Sequence, residues 1–428
     1  MNVYKGNILF TPEINNFTII SAGYIVEKDG KIAYVGSNLP DEYQKESIQD
    51  FGDSLIIPGF NDIHVHAPQL CNSGVGFSME LLSWLSTYTF PAEVNFEDIT
   101  FAKKEYVRFI NELLKNGTTR ACVFATRHYE ATKLLIDLIA KSNMGAHVGK
   151  VNMDRNSIAE LQETAADSIR ETENIIQWMN EKYKNNPNIS YILTPRYVPC
   201  TSKELMDGLA ELQEKYNLQV QSHLDENRSE VEWVENLHPE CRNYADVYNT
   251  YGLMPKSKTI MAHCIYMTPE ERKLLKEKQV MIAHCAMSNA DLSSGIMPLR
   301  QYLNEGLSVA IASDMGGAHT VDMKQHIVET IKTSKLYWIN HPDEQPISFA
   351  EAFYLATKSG GKCFGKVGSF EEEYEFDALV IDDSKIQTGM KHSLIERLER
   401  FIYTGSNECI VKRFISGKEC MFLTNEEE

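Results

Sequence analysis

PGFNDIHVHAPQ, residues 58–69, marks the point at which the chain changes character. Before it lie short strand signals: NILF (7–10), FTIISAGYIVEKDGKIAYVG (17–36) and SLIIP (54–58). Within YIVEKDGKIAYVG (24–36), Asp29-Gly30 supplies the positive φ of a tight hairpin turn. After Pro58-Gly59, short apolar runs alternate with longer helical stretches. The runs are NDIHVHA (61–67), TRACVFAT (119–126), GAHVGKVNM (145–153) and ISYILTPRY (189–197). LQVQSHLDE (218–226), KTIMAHCIY (258–266), VMIAHCAMS (280–288) and SVAIASDMG (308–316) follow. Eight buried strands alternating with helices over about 260 residues have the order and size of a (β/α)8 barrel, an α/β fold. The clearest intervening helix is EDITFAKKEYVRFINELLKNG (97–117). It puts Ile99, Ala102, Tyr106, Phe109, Ile110, Leu113 and Leu114 on one face, and Gly117 ends it.

Beyond residue 365 strand signals return in EFDALVIDD (375–383) and ECIVKRFISGKECMFL (408–423). These predict a small β-sandwich domain made by both chain ends, 1–58 plus 366–428, around a barrel over 59–365. The closing TNEEE reads as a solvated tail.

The chain of 428 residues is 43% hydrophobic and 24% charged, an ordinary globular composition. Lys and Arg number 42 against 60 Asp and Glu, a net charge of −18, which argues against a nucleic-acid or anionic-lipid surface. No run approaches the ~18 apolar residues of a membrane span, and the N-terminus lacks a basic start followed by an apolar core. The 9 cysteines are odd in number and scattered, as expected of reduced thiols in a cytoplasmic protein.

Chemistry concentrates at strand ends. In His64-Val65-His66, positions i and i+2 of a strand point the same way, so both imidazoles can face one ion. Alone, that pair is a weak signal. The fifth strand, however, ends in His223, the sixth in His263 and the eighth in Asp314, and a parallel barrel delivers all these ends to one face. Three nitrogens with one carboxylate oxygen suit one Zn2+ per chain, and Fe2+ is compatible. Glu226, three residues after His223, is placed to fold back as a proton shuttle, with Asp225 and Glu230 as weaker alternatives. His284, ending the seventh strand, reads as supporting or core. Lys150 sits on the third strand while the fourth offers Arg196, which favours one metal over two. Phosphate-loop, GxGxxG and GxSxG patterns are absent.

The ordered set of HxH, HxxE, His and Asp resembles the mononuclear deaminase branch of the amidohydrolase superfamily. Within it, PGFNDIHVHAPQ, LLSWLSTYTFPAE (81–93), GKVNMD (149–154), LTPRY (193–197), QSHLDENRSEVEWV (221–234), MAHCIYM (261–267) and SSGIMPLR (293–300) resemble guanine deaminases. LLSWLSTYTFPAE is the most specific piece, and by periodicity an amphipathic helix with Leu81, Leu82, Leu85 and Tyr88 facing a core. The resemblance implies His64, His66, His223 and Asp314 as metal ligands and Glu226 as proton shuttle. It implies His263 and Asp314 as catalytic helpers, and Gln69, Arg196 and Tyr197, beside His223 and Glu226, as contacts to a small-molecule purine. It also implies a homodimer. Tyr197 replaces a common Phe, Ala286-Met287 replaces Pro-Asn, and the loop DMGGAHT (314–320) departs from the commoner form. Aminohydrolases of the same branch acting on cytosine, thioadenosine compounds or triazines, and a metal-free hydantoinase-like scaffold, are the competing expectations.

Overall fold

The computed structural model describes residues 1–424, so the TNEEE end beyond Thr424 lies outside the described residues. Three long strands, β1 (Asn2–Glu13), β2 (Asn16–Lys28) and β3 (Lys31–Gly36), run antiparallel in sequence, and β4 (Ile48–Pro58) returns parallel to β1. The β2–β3 hairpin pairs Lys28 with Lys31 across Asp29 (φ 52°) and Gly30 (φ 85°), as the Asp-Gly dipeptide predicts.

Phe60–His66 (β5) opens the barrel. Thr118–Phe124 (β6), Gly145–Gly149 (β7), Val151–Asn152 (β8), Ile189–Pro195 (β9) and Gln219–Leu224 (β10) follow. Thr259–His263 (β11), Met281–His284 (β12) and Ser308–Ile311 (β13) complete it. All neighbours pair parallel in the order β13-β12-β11-β10-β9-β7-β6-β5, which is the eight-stranded sheet expected from the alternation. The expected third strand is split, with β8 pairing β9 on its own. A Cβ at Gly149 would fall 1.9 Å from Thr194 Oγ1, so the chain approaches β9 more closely there than a side chain allows. The ring closes through Asp314 N–H donating to the His64 carbonyl (2.8 Å) and through Asp62, whose carboxylate accepts from Ser313 N (2.9 Å) and Oγ (2.5 Å).

The helix Ile99–Lys115 starts where Asp98 accepts from Thr100 and Phe101 N–H groups and ends before Gly117 (φ 87°). Its buried face is the predicted one except for Ile99, which lies 43% exposed in the first turn, outside the core. LLSWLSTYTFPAE departs further from a plain helix. It forms two short α-helical pieces, Leu81–Trp84 and Phe90–Val94, joined by a π-helical turn, Leu85–Thr89. Trp84 takes an inward position while Leu82 is only half-buried. The wide turn adds one residue, which rotates the following piece by roughly 100° and turns Phe90 and Glu93 inward. Pro91, with no N–H to donate to the preceding turn, suits this break.

After the barrel, Ala378–Ile381 (β14), Ile410–Ile415 (β15) and Lys418–Glu419 (β16) rejoin the N-terminal strands in one mixed sheet, ordered β16-β15-β14-β4-β1-β2-β3. The far edge of this sheet meets the segment leading into β14, with Ile32 N–H donating to Tyr374 O (2.8 Å). The sheet therefore curls over a core of its own, in which Tyr4 stacks on Phe376 (4.6 Å) beside Ile25, Ile56 and Phe414. No helix among the described residues is long and apolar enough to cross a membrane.

A buried ion pair ties the two parts together. Arg120 of β6 donates from Nε (2.6 Å) and Nη2 (3.1 Å) to the two oxygens of Asp377, which enters β14. Both side chains are buried, and Asp377 also accepts from Ser416 N (2.8 Å). Removing one partner strands a desolvated charge, so Arg120→Met is expected to lower unfolding free energy by about 3–5 kcal/mol in urea melts. The double variant with Asp377→Leu is expected to recover part of that loss.

Candidate active site

The carboxyl ends of the barrel strands bring together the side chains singled out above. His64 and His66 project from β5, His223 from β10 and His263 from β11, and Asp314 stands just past β13. The ligand atoms of His64, His223, His263 and Asp314 all lie within 4.8 Å of one another. His66 joins them, with Nε2 3.2 Å from His223 Nε2 and 3.3 Å from Asp314 Oδ1, while His64 Nε2 is 3.2 Å from the same oxygen. Two of the strand ends adopt left-handed backbone, His263 at φ 71° and Asp314 at φ 49°. Non-glycine residues avoid that region, and such strain collects where a side chain is being aimed. Phe124, ending β6, packs its ring against His64 (4.8 Å), His66 (4.6 Å) and His223 (5.0 Å) and closes one side.

The protonation pattern suits a cation. His223 Nδ1 is 2.5 Å from the Arg196 carbonyl, which can only accept, so the proton sits on Nδ1 and Nε2 turns a lone pair inward. His263 Nδ1 donates likewise to Asn289 Oδ1 (2.8 Å). Burial lowers His64 to about 4, and burial with the neighbouring imidazoles holds His223 well below its ordinary value. Burial alone would raise Asp314, but the His64 and His66 imidazoles at its oxygen hold it well below the usual carboxylate range. Neutral imidazole and ionised carboxylate are the metal-binding forms. Both ring nitrogens of His64 and Nε2 of His263 are buried without a hydrogen-bond partner. One lone pair from each of these rings, at the Nε2 atoms that face Asp314 and Glu226, fits one divalent ion of the zinc class.

Glu226 lies beside this cluster, with Oε2 3.4 Å from His263 Nε2 and Oε1 accepting from Ser294 Oγ (3.1 Å). Burial, then the Asp314 charge, pushes its carboxyl up to about 8, although the Ser294 bond pulls the other way. The alternatives Asp225 and Glu230 face elsewhere. Glu230 caps the helix Arg228–Leu237, accepting from the N–H groups of Glu226 (3.1 Å) and Asn227 (3.2 Å) and from Tyr244 OH (2.8 Å). Lys150 is committed to Glu163 (2.6 and 2.8 Å). His284 ends β12, buried and outside the cluster.

A cavity with about 400 Å³ of free space, part of it open to solvent, sits over the cluster and is lined by Gln69, Arg196, Tyr197 and Glu226. Leu81, Trp84 and Leu85 form an apolar wall. Arg196 lies over the Phe90 ring (4.9 Å). Three contributors escaped sequence reasoning. Phe124 was legible only as a strand residue, Ser294 only as part of SSGIMPLR, and Glu93 only as the end of LLSWLSTYTFPAE.

The amidohydrolase family model matches residues 55–420. A guanine deaminase from Dictyostelium discoideum is 35% identical over 99% of this chain and 98% of its own, and the human guanine deaminase is 37% identical over 89% and 85%. Among solved structures, guanine deaminase from C. acetobutylicum, with guanine bound in its active site, is 48% identical and covers 98% of this chain and 100% of that one at a TM-score of 0.96. With likeness of that extent along nearly the whole chain, and with the cluster intact, the chain belongs to the guanine deaminase family of amidohydrolases.

Proposed function

We propose that this chain hydrolyses guanine to xanthine and ammonia at the barrel mouth, with His64, His66, His223 and Asp314 holding one zinc ion. The observation that carries this is the C. acetobutylicum relative, which holds guanine on a fold that overlays 98% of this chain. Three imidazole nitrogens and a carboxylate are a zinc donor set, and Fe2+ is the second choice for the same groups. When bound, that cation makes hydroxide available from water near neutral pH.

The chain's own groups do the rest. Glu226 takes a proton from the attacking water and passes it to N3 of the purine, beside the carbon under attack. A carboxyl raised toward neutrality by burial both accepts and returns a proton there. Ser294 holds one oxygen of Glu226 and leaves the other facing His263. His263, fixed by Asn289, orients the water with Asp314. The water oxygen bonds to C2 while N3 keeps that first proton; the remaining O–H proton then moves by way of Glu226 to the amine, the C2–N bond breaks, and C2=O and ammonia result. Tyr197 and the Leu81–Trp84–Leu85 wall flank the flat ring. Arg196 donates to the adjacent acceptors O6 and N7 on the far edge, so that C2 faces the cluster.

Two variants test this assignment. Glu226→Gln keeps the shape and removes the base, so metal content should persist while kcat falls by roughly 10²–10⁴ or more. Loss of metal together with activity would make Glu226 structural, and an unchanged kcat would remove it from the reaction. Arg196→Met should weaken guanine kcat/KM by about 5- to 150-fold, the cost of an unpaired buried acceptor, with metal retained. Wild-type guanine kinetics in that variant would remove Arg196 from the substrate edge.

A further inference from the structure

The π turn of residues 85–89 delivers a buried carboxylate, Glu93, between the two polar groups of the cavity. Its Oε1 accepts from Gln69 Nε2 (2.8 Å) and its Oε2 from Arg196 Nη1 (2.8 Å). Glu93 is only 1% exposed and Arg196 3%, so neither bond competes with bulk water. A carboxylate can only accept, so it fixes the Gln69 amide in one sense, with NH2 toward Glu93 and Oε1 at the opposite end. The other side is equally constrained, since a Cβ at Gly316 (φ 118°) would fall 1.9 Å from Gln69 Oε1. Glu93 thus leaves Gln69 its acceptor Oε1 and Arg196 its remaining N–H donors, on two side chains that both line the cavity.

We propose that Glu93 is a positioning residue that sets this acceptor–donor order and so makes the pocket specific for a lactam edge, a ring N–H next to a C=O. The inference rests on the guanine reading above and goes on to say how the edge is recognised. In guanine, N1–H would donate to Gln69 Oε1 while O6 accepts from Arg196. In 2,6-diaminopurine, which carries the same 2-amino leaving group, N1 is a bare acceptor and C6 bears an amine. Both partners are then reversed, acceptor against acceptor and donor against donor.

The test is kcat/KM for guanine and for 2,6-diaminopurine in wild type, Glu93→Gln and Glu93→Asp, with metal content and melting temperature as checks on integrity. Glu93→Gln nearly preserves volume but presents an NH2 group to one partner. It must either lose Arg196 or let the Gln69 amide turn its NH2 group into the cavity. Wild type is expected to favour guanine by at least about tenfold, and Glu93→Gln to shrink that preference by at least about fivefold with metal retained. Glu93→Asp keeps the charge and should keep the preference at lower kcat/KM on both purines. A packing role would give the opposite order, with the isosteric Gln milder than the shorter Asp. An unchanged preference in Glu93→Gln, or equal losses on both purines, would overturn the role of Glu93. If Glu93→Gln does not fold, Glu93→Asp decides, and a collapsed preference there overturns the role. A wild-type enzyme inactive on guanine but active on another amino-heterocycle would overturn the guanine reading itself, and this role with it.

Discussion

Everything at the barrel mouth depends on one electrostatic constraint: four imidazoles and a carboxylate are buried within a few ångströms of one another. Parallel strands force this convergence, because each contributes its carboxyl end to the same rim. Taking an ionised Asp314 out of water costs several kcal/mol unless it is compensated, and the His64 and His66 imidazoles at its oxygen supply part of that compensation. The orphaned nitrogens of His64 and His263 say the same from the other side. A divalent cation resolves both deficits, and the layer outside the cluster is arranged to receive one. The Arg196 carbonyl and Asn289 hold their histidines with lone pairs inward, and Ser288 donates to Asp314 Oδ2 (2.5 Å).

Arg196 links that layer to the cavity. Its backbone oxygen fixes the tautomer of His223, while its side chain, anchored by Glu93 over the Phe90 ring, faces the cavity. The histidine cluster and the cavity are thus joined at one strand end. The apolar wall and Glu93 come from the segment between the first barrel strand and its helix, outside the repeating pattern. Active-site chemistry in this fold is carried by the rim and specificity by such insertions.

The barrel was legible because its signal is local. Runs such as TIMAH and SVAI are short, apolar and bounded by helix patterns, and their order gives the parallel sheet with its rim residues. The HxH pair and the strand-end His223, His263 and Asp314 could be read for the same reason. The helix-period reading of LLSWLSTYTFPAE failed in detail because one inserted residue changes which side chains face inward without changing composition. Glu93, beyond the wide turn, therefore went unassigned, whereas Leu82 and Trp84 precede that turn, and there the inward Trp84 is held by its Nε1 donating to Val75 O (2.9 Å). Ser294 and Phe124 were illegible for a different reason: each acts on a residue more than fifty positions away, a distance that periodicity does not span. The terminal strands were legible and so was their union, which β14 makes by pairing antiparallel with β4; the additional contact of the far edge, Ile32 N–H donating to Tyr374 O, joins opposite chain ends and left no local signal.

The central claim is that the histidine–aspartate cluster exists to hold one cation on which turnover depends. Elemental analysis of the purified protein, before and after chelation and with guanine turnover followed on the same samples, tests it most directly. The account predicts close to one equivalent of zinc or iron per chain, loss of turnover in step with loss of metal, and recovery of both on adding back the ion. A metal-free preparation that deaminates guanine at the full rate would contradict it.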